Sequence, residues 1–125
     1  MTTGPLSSRQ LANMQRLFAT PFADIYPLYV TKVQRKNRSE SELRTVLSWL
    51  TGLDCTQLDL AISSGESLQE FFERVHVHPN SVLITGMVCG VKVQDVEDPL
   101  MRNIRYMDKL VDELAQGKAI ENILR

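Results

Sequence analysis

Residues 83–125 constrain the fold more than any other part of this sequence. Asp98 followed by Pro99 is a typical helix start, because aspartate caps free backbone N–H groups and proline costs nothing in the first turn. Apolar residues then recur at alternating intervals of four and three, which places them on one face of a helix. They are Leu100, Ile104, Met107, Val111 and Leu114. The pattern predicts a long amphipathic helix whose apolar stripe packs into a domain core, with a dimer seam as the alternative.

Capping patterns mark further helices upstream. Ser39 with Glu42, and Ser67 with Glu70, have the spacing of capping boxes, in which each side chain accepts a hydrogen bond from the other residue's backbone. Gly52 fits the left-handed residue that closes a helix. Helices joined by short capped corners predict an all-α fold, as a single compact multi-helix domain with a long amphipathic helix at its C-terminal end.

The helical domain is expected to span residues 20–125. Thr20 before Pro21 suggests an N-cap followed by proline at the first helical position, which would begin the first helix of the domain. Residues 1–19 are expected to form an N-terminal arm that is partly helical.

The segment that leads into the long helix has the least decisive pattern. Asn80 or Ser81 fits an N-cap ahead of apolar residues up to Val88, and Gly90 is expected to stop this helix. Valines in residues 91–96 suit either a short strand or one turn of helix. We favour the turn, because no partner strand is visible in the sequence.

Composition excludes several classes of protein. A chain of 125 residues fits one domain and buries roughly two thirds of its unfolded surface. No apolar run approaches the ~20 residues of a membrane helix, and the N-terminus lacks the apolar core of a signal peptide. The two cysteines, Cys55 and Cys89, lie far apart, as suits a reducing compartment. We therefore expect a cytoplasmic protein with no membrane association.

A run of basic residues is the best candidate recognition surface. Such a cluster can contact phosphate, nucleic acid or an acidic protein face. The alternative is a solvated helix end, where cations stabilise the negative end of the helix dipole. The run consists of Lys32, Arg35, Lys36, Arg38 and Arg44, with Trp49 as a possible aromatic neighbour. The resulting hypothesis is a non-enzymatic binding or interaction module, whose partner is another protein or a second copy of the chain.

A DNA-binding regulator is the first alternative. Two helix–glycine–helix corners, at residues 39–63 and 81–117, resemble helix-turn-helix units. Arg102, Asn103 and Arg105 on the long helix would be the contacts to nucleic acid. However, a net charge of −1 and a pI near 6.1 predict weak, non-specific nucleic-acid binding at most.

A small enzyme that uses Cys55, or the loop of His76 and His78, is the second alternative. Acidic neighbours oppose a thiolate at Cys55, and Cys89, near a predicted helix C-terminus, is expected to be a small buried residue. The two histidines lack the further ligands that a metal site needs. Phosphate-loop, dinucleotide, zincin and hydrolase motifs are missing from the sequence. No catalytic residue, metal or cofactor is therefore predicted.

Short motifs are concentrated in residues 21–52 and 83–125. They read IYPLYV at 25–30, WLTG at 49–52, ITG at 84–86, CGV at 89–91, EDPLMR at 97–102, IRY at 104–106, DKL at 108–110 and ILR at 123–125. With these motifs the chain resembles the bacterial domain of unknown function family 2200. The resemblance implies a small, mainly helical cytoplasmic domain and carries over no activity. The first twenty residues depart from the family pattern, in which a short lead-in with His and Tyr is usual.

Overall fold

A computed structural model describes residues 6–125 of the chain. Within that range the chain forms seven α-helices, two short 3-10 helices and one two-stranded hairpin. The α-helices are α1 (Ser8–Ala19), α2 (Phe22–Gln34), α3 (Glu40–Thr51), α4 (Cys55–Ser64), α5 (Leu68–Arg74), α6 (Pro99–Ala115) and α7 (Ile120–Ile123). The hairpin pairs β1 (Met87–Val88) with β2 (Val91–Lys92), and the 3-10 helices are Pro79–Leu83 and Val93–Asp95. The predicted helical class is confirmed, with the hairpin as an exception, and no helix of this range is long and apolar enough to cross a membrane.

The N-terminal arm is helical over much of its length. Residues 1–5 lie outside the described range, and α1 begins with a capping box formed by Ser7 and Gln10. α1 contacts α5, and its Leu17 and Phe18 pack against the core although no residue of α1 is fully buried. The division of the chain at residue 20 stays a prediction.

Polar side chains begin the helices where the sequence indicates. Ser39 and Ser67 each form the predicted capping box, with both hydroxyl oxygens 3.1 Å from the backbone nitrogen three residues on. The Asp98 carboxylate accepts a backbone N–H at 2.8 Å, and Pro99 takes the first position of α6. Local hydrogen bonding therefore sets these helix starts.

The predicted start of α2 is wrong by one residue. Phe22 is the first helical residue, with Pro21 as the N-cap. Thr20 instead ends α1, where its hydroxyl donates to the Arg16 carbonyl at 2.8 Å. The Phe22 N–H donates to the Glu66 carbonyl at 2.9 Å, so the corner between α1 and α2 is held by the segment that precedes α5.

The predicted helix up to Val88 is wrong, because this segment forms a 3-10 helix followed by the hairpin. Cys89 (φ 51°) and Gly90 (φ 79°) make the two-residue turn, and both adopt the left-handed backbone of a tight hairpin. Gly90 lies in a hairpin turn instead of at a helix end, since a residue with positive φ is suited to either position. Val91 pairs with Val88, so residues 91–96 contain both a strand (Val91–Lys92) and a single 3-10 turn (Val93–Asp95), and the choice of a helical turn alone is incomplete. Strands of two residues are too short to show a period in the sequence.

α6 is the central helix of the domain. It contacts α2, α3, α5, α7 and the hairpin. Met107, Val111 and Leu114 are 0% exposed and Ile104 is 2% exposed, while Leu100 is half-buried against the core. The core interpretation of the apolar stripe is therefore confirmed.

Replacing Ile104 by alanine should destabilise the domain by about 2–5 kcal/mol, because the lost methyl groups leave a cavity in the core. Urea unfolding at two protein concentrations measures the loss, which should not depend on concentration. Leu28→Ala is a matched control, since Leu28 is 64% exposed and its loss should stay within about 0.5 kcal/mol. A loss for Ile104→Ala that is as small as the control's would contradict the core placement.

Candidate functional site

Four residues of the basic run lie where two helices end side by side: Lys32, Arg35, Lys36 and Arg38. α2 and α6 run in the same direction, because their contacts advance together: Tyr29 with Asp108, then Lys32 with Asp112. Arg38, beyond the end of α2, then reaches the last turn of α6. A helix C-terminus carries partial negative charge, so two adjacent C-termini repel unless cations offset them. This arrangement gives a physical reason for a cluster of basic residues here.

Both helices end in the same backbone motif. At the end of α2, Asn37 has φ 63°, and the Arg38 N–H donates to the Val33 carbonyl at 3.0 Å. At the end of α6, Gly117 has φ 94°, and the equivalent bond from the next residue measures 3.1 Å. These are Schellman motifs, in which a left-handed residue lets the chain turn back onto the last carbonyls. Asparagine is one of the few non-glycine residues that tolerates this conformation.

Arg38 joins the two helix ends. Its Nη1 donates to the Leu114 carbonyl at 3.1 Å and to the Lys118 carbonyl at 2.9 Å. Its Nη2 pairs with Glu42 at 3.0 Å, and the hydrogen bond from Arg38 lowers the pKa of Glu42. The Arg38 side chain is only 14% exposed. The guanidinium therefore caps α6 and is turned away from solvent.

Arg44 is also held within the fold, but at a separate place between α2, α3 and α4. Its Nε donates to the Tyr26 hydroxyl oxygen at 2.9 Å, and its Nη2 pairs with Asp59 at 2.8 Å. The Tyr26 hydroxyl donates to Glu40 at 2.6 Å. Burial, together with the bond to Glu40, raises the pKa of Tyr26 to about 12. The five predicted residues therefore do not form one continuous patch.

Lys32, Arg35 and Lys36 form the exposed part of the run, which we name the α2 basic end. Lys32 pairs with Asp112 at 3.1 Å while its side chain stays 45% exposed. Arg35 and Lys36 are exposed and form no ion pair with any other residue of the described chain. These two residues carry the uncompensated charge of this surface.

The alternative nucleic-acid contacts are engaged elsewhere. Arg102 donates to two carbonyls of the loop before α6, at 2.8 and 3.0 Å. Arg105 pairs with Asp108 at 3.0 Å, and Asn103 is half-buried. The prediction of a helix-turn-helix-like corner at residues 81–117 is wrong, because Gly90 lies in the turn of a β-hairpin and not between two helices.

A polar cluster that the sequence does not indicate joins the hairpin to α2 and α6. The Tyr29 hydroxyl donates to Asp108 Oδ1 at 2.6 Å, and Arg105 donates to Oδ2 at 3.0 Å. The Cys89 Sγ lies 3.8 Å from the same Oδ2. Arg105 and Asp108 are neighbours on α6, but only tertiary packing brings Tyr29 and Cys89 to them, so no local pattern could have revealed the whole cluster.

The prediction that Cys89 is a small buried residue is wrong, since it lies exposed in the hairpin turn. Its thiol nevertheless faces Asp108. Partial burial of this thiol, reinforced by the Asp108 charge, raises the pKa of Cys89. Burial also raises the pKa of Tyr29 well above its usual value. Near neutral pH both groups stay protonated, which disfavours Cys89 as a nucleophile.

Cys55 lies at the first position of α4, beside an open cleft of about 640 Å³. The cleft is lined by Glu40, Ser41, Arg44, Thr45, Ser48 and Cys55. An activated cysteine needs an adjacent base or a lowered pKa, and no histidine is among these lining residues.

The histidine loop packs against α3. The His78 ring stacks on Trp49 with centroids 4.3 Å apart, and its Nδ1 accepts the Asn80 N–H at 3.0 Å. Trp49 is therefore engaged by His78, while His76 is exposed. Across residues 6–125, no three or more His, Cys, Asp or Glu side chains are grouped so that they could hold a metal ion.

The fold and these clusters define a small helical domain built around one central helix. The family described as "Uncharacterized protein conserved in bacteria (DUF2200)" matches residues 16–125, and the chain belongs to it. The resemblance expected from the sequence motifs is thus confirmed. The crystal structure of the uncharacterized protein SP1917 is similar to this chain, with 36% identity and a TM-score of 0.83, over 88% of this chain and 91% of that chain. Among curated proteins no match was found.

The raised pKa of Tyr26 predicts destabilisation at alkaline pH. Above the usual pKa of 10.0 the unfolded chain releases a proton that the folded chain keeps until about 12. The unfolded state then binds fewer protons, so stability falls as pH rises through this window. Urea unfolding at about pH 8.5 and about pH 11 measures this effect. The free energy of unfolding should decrease less between the two pH values for Tyr26→Phe than for the unmodified protein. Tyr29 lowers the free energy of unfolding at high pH in both proteins. An equal decrease in the two proteins would contradict the assignment to Tyr26.

Proposed function

We propose that this protein is a cytoplasmic, non-enzymatic binding module that contacts an anionic partner through the α2 basic end. One observation carries the proposal. Arg35 and Lys36 are exposed with no acidic partner in the described part of the chain, whereas Arg38 and Arg44 are bound to carboxylates. Cations without a local counter-charge attract anions in solution.

The backbone fixes the position of these two cations. The Arg35 N–H donates to the Thr31 carbonyl at 3.1 Å, and the Lys36 N–H donates to the Val33 carbonyl at 3.0 Å. The Asn37 turn follows at once, and Arg38 anchors it to α6. A segment whose backbone is already ordered loses less backbone entropy when a partner binds, which supports a role in binding.

The other polar groups give less support to catalysis or to sequence-specific DNA reading. Cys89 is held protonated beside Asp108, and the cleft at Cys55 offers no histidine base. Arg102 and Arg105 are turned to acceptors within the fold. The net charge of −1 also works against tight binding of polyanions.

Reversing both charges, Arg35→Glu with Lys36→Glu, should abolish the weak binding of double-stranded DNA used as a polyanion probe. For the unmodified protein, two or three phosphate contacts predict an affinity that falls roughly 10- to 40-fold between about 50 and about 200 mM salt. Fluorescence anisotropy of labelled DNA measures both effects. A marked preference for one DNA sequence would favour the regulator instead.

The matched control is Arg9→Glu with Arg16→Glu, which changes the net charge equally at two exposed residues of α1. This variant should keep most of the affinity, because long-range charge contributes less than direct contact. Equal losses in the two double variants would show that net charge governs binding, and the α2 basic end would then have no special role.

A further inference from the structure

We infer that the partner of the α2 basic end is a helical protein segment that presents carboxylates and, one turn away, an apolar side chain. This inference rests on the proposed function and names its partner. Leu28, Lys32 and Arg35 follow one another at intervals of four and three, so they share the outer face of α2 and its C-cap, and Lys36 follows in the turn beyond the helix. From Leu28 to Arg35 the face extends over about 10 Å along the helix axis, or about two turns.

This face is open to solvent, while the opposite face of α2 lies in the core. Phe22 and Val33 are 0% exposed, and Tyr26 and Tyr29 are 5% and 8% exposed. Leu28 by contrast is 64% exposed, in line with the cations. Removing an apolar side chain from water lowers the free energy of a complex. A phosphate group has no apolar surface that could cover Leu28. Leu28 therefore favours a protein partner over a nucleic acid or free phosphate.

The order of charges along the face points the same way. Asp24 is exposed one turn before Leu28, so the face presents acid, apolar side chain and then bases. The carboxylate of Asp24 repels a polyanion, whereas a protein helix can match the order with a base, an apolar side chain and two acids at similar spacing. Complementary charges of this kind also set the direction of the docked helix.

A second copy of the chain fits this face less well. In an antiparallel pair of α2 helices, Leu28 would face Leu28 and Asp24 would face Lys32. Such a pair would place Arg35 opposite Pro21 and Lys36 opposite Thr20, so the two cations that lack an acidic partner would meet no carboxylate. The same face therefore suits a docked segment better than a dimer.

Two synthetic helical peptides test the inference. Both carry glutamates at intervals of three and four, and they differ only in a leucine or a serine one turn from the glutamates. Titration into the ¹⁵N-labelled protein, followed by NMR, gives the Kd values and the residues that respond. The leucine peptide should bind about tenfold more tightly, which corresponds to about 1.4 kcal/mol, and should shift signals of residues 24–36. Leu28→Ser should bring the ratio of the two Kd values to about one and leave the Kd of the serine peptide unchanged.

Several outcomes would overturn the inference. The first two are equal Kd values of both peptides for the unmodified protein, and chemical-shift changes at residues outside 24–36. The other two are displacement of both peptides by DNA at a lower concentration than either peptide needs, and a dimer of the protein that Leu28→Ser dissociates. In each case, loss of anion binding in Arg35→Glu with Lys36→Glu would leave the proposed function standing. If neither peptides nor DNA bind at low salt, the proposed function itself fails.

Discussion

The guanidinium of Arg38 caps the end of α6 while its backbone N–H closes the end of α2, and these contacts tie the two helix ends together. α2 and α6 run parallel and stop at the same level, which places two helix C-termini together. Arg38 donates to the carbonyls of Leu114 and Lys118 and is oriented by Glu42 on α3. One side chain thus joins the central helix to the corner between α2 and α3, and α6 also contacts α5, α7 and the hairpin.

The same contact separates two groups of basic residues that look alike in the sequence. The Arg38 guanidinium is hydrogen-bonded within the fold, whereas Lys32 pairs with Asp112 and stays partly exposed to solvent. Arg35 and Lys36 are left exposed on a helix end that Arg38 anchors to α6. Structure and recognition are therefore linked, because the residue that offsets the helix ends also positions the cations proposed to contact a partner.

Signals within a few residues made much of the fold predictable. The capping boxes at Ser39 and Ser67, and the apolar stripe of α6, fix their own helices through local bonds and periodicity. The hairpin at Cys89 escaped prediction, because its strands are two residues long and have no period. The basic run correctly indicated a helix C-terminus, but its most buried member, Arg38, caps α6, which lies 76 residues away, rather than α2. Such long-range contacts, like Tyr29 with Asp108, depend on packing that no local pattern encodes.

A comparison of Arg38→Met with Arg35→Met tests this account most directly. Methionine keeps much of the aliphatic packing but removes the donors, so Arg38→Met should lower the free energy of unfolding by about 2 kcal/mol. Arg35→Met, on the exposed side of the same corner, should stay within about 0.5 kcal/mol. Hydrogen exchange of the backbone amides at Gly117 and Lys118 should accelerate only in Arg38→Met, because the end of α6 then opens more often. Equal, small losses in both variants, with unchanged exchange at the end of α6, would contradict the role assigned to Arg38.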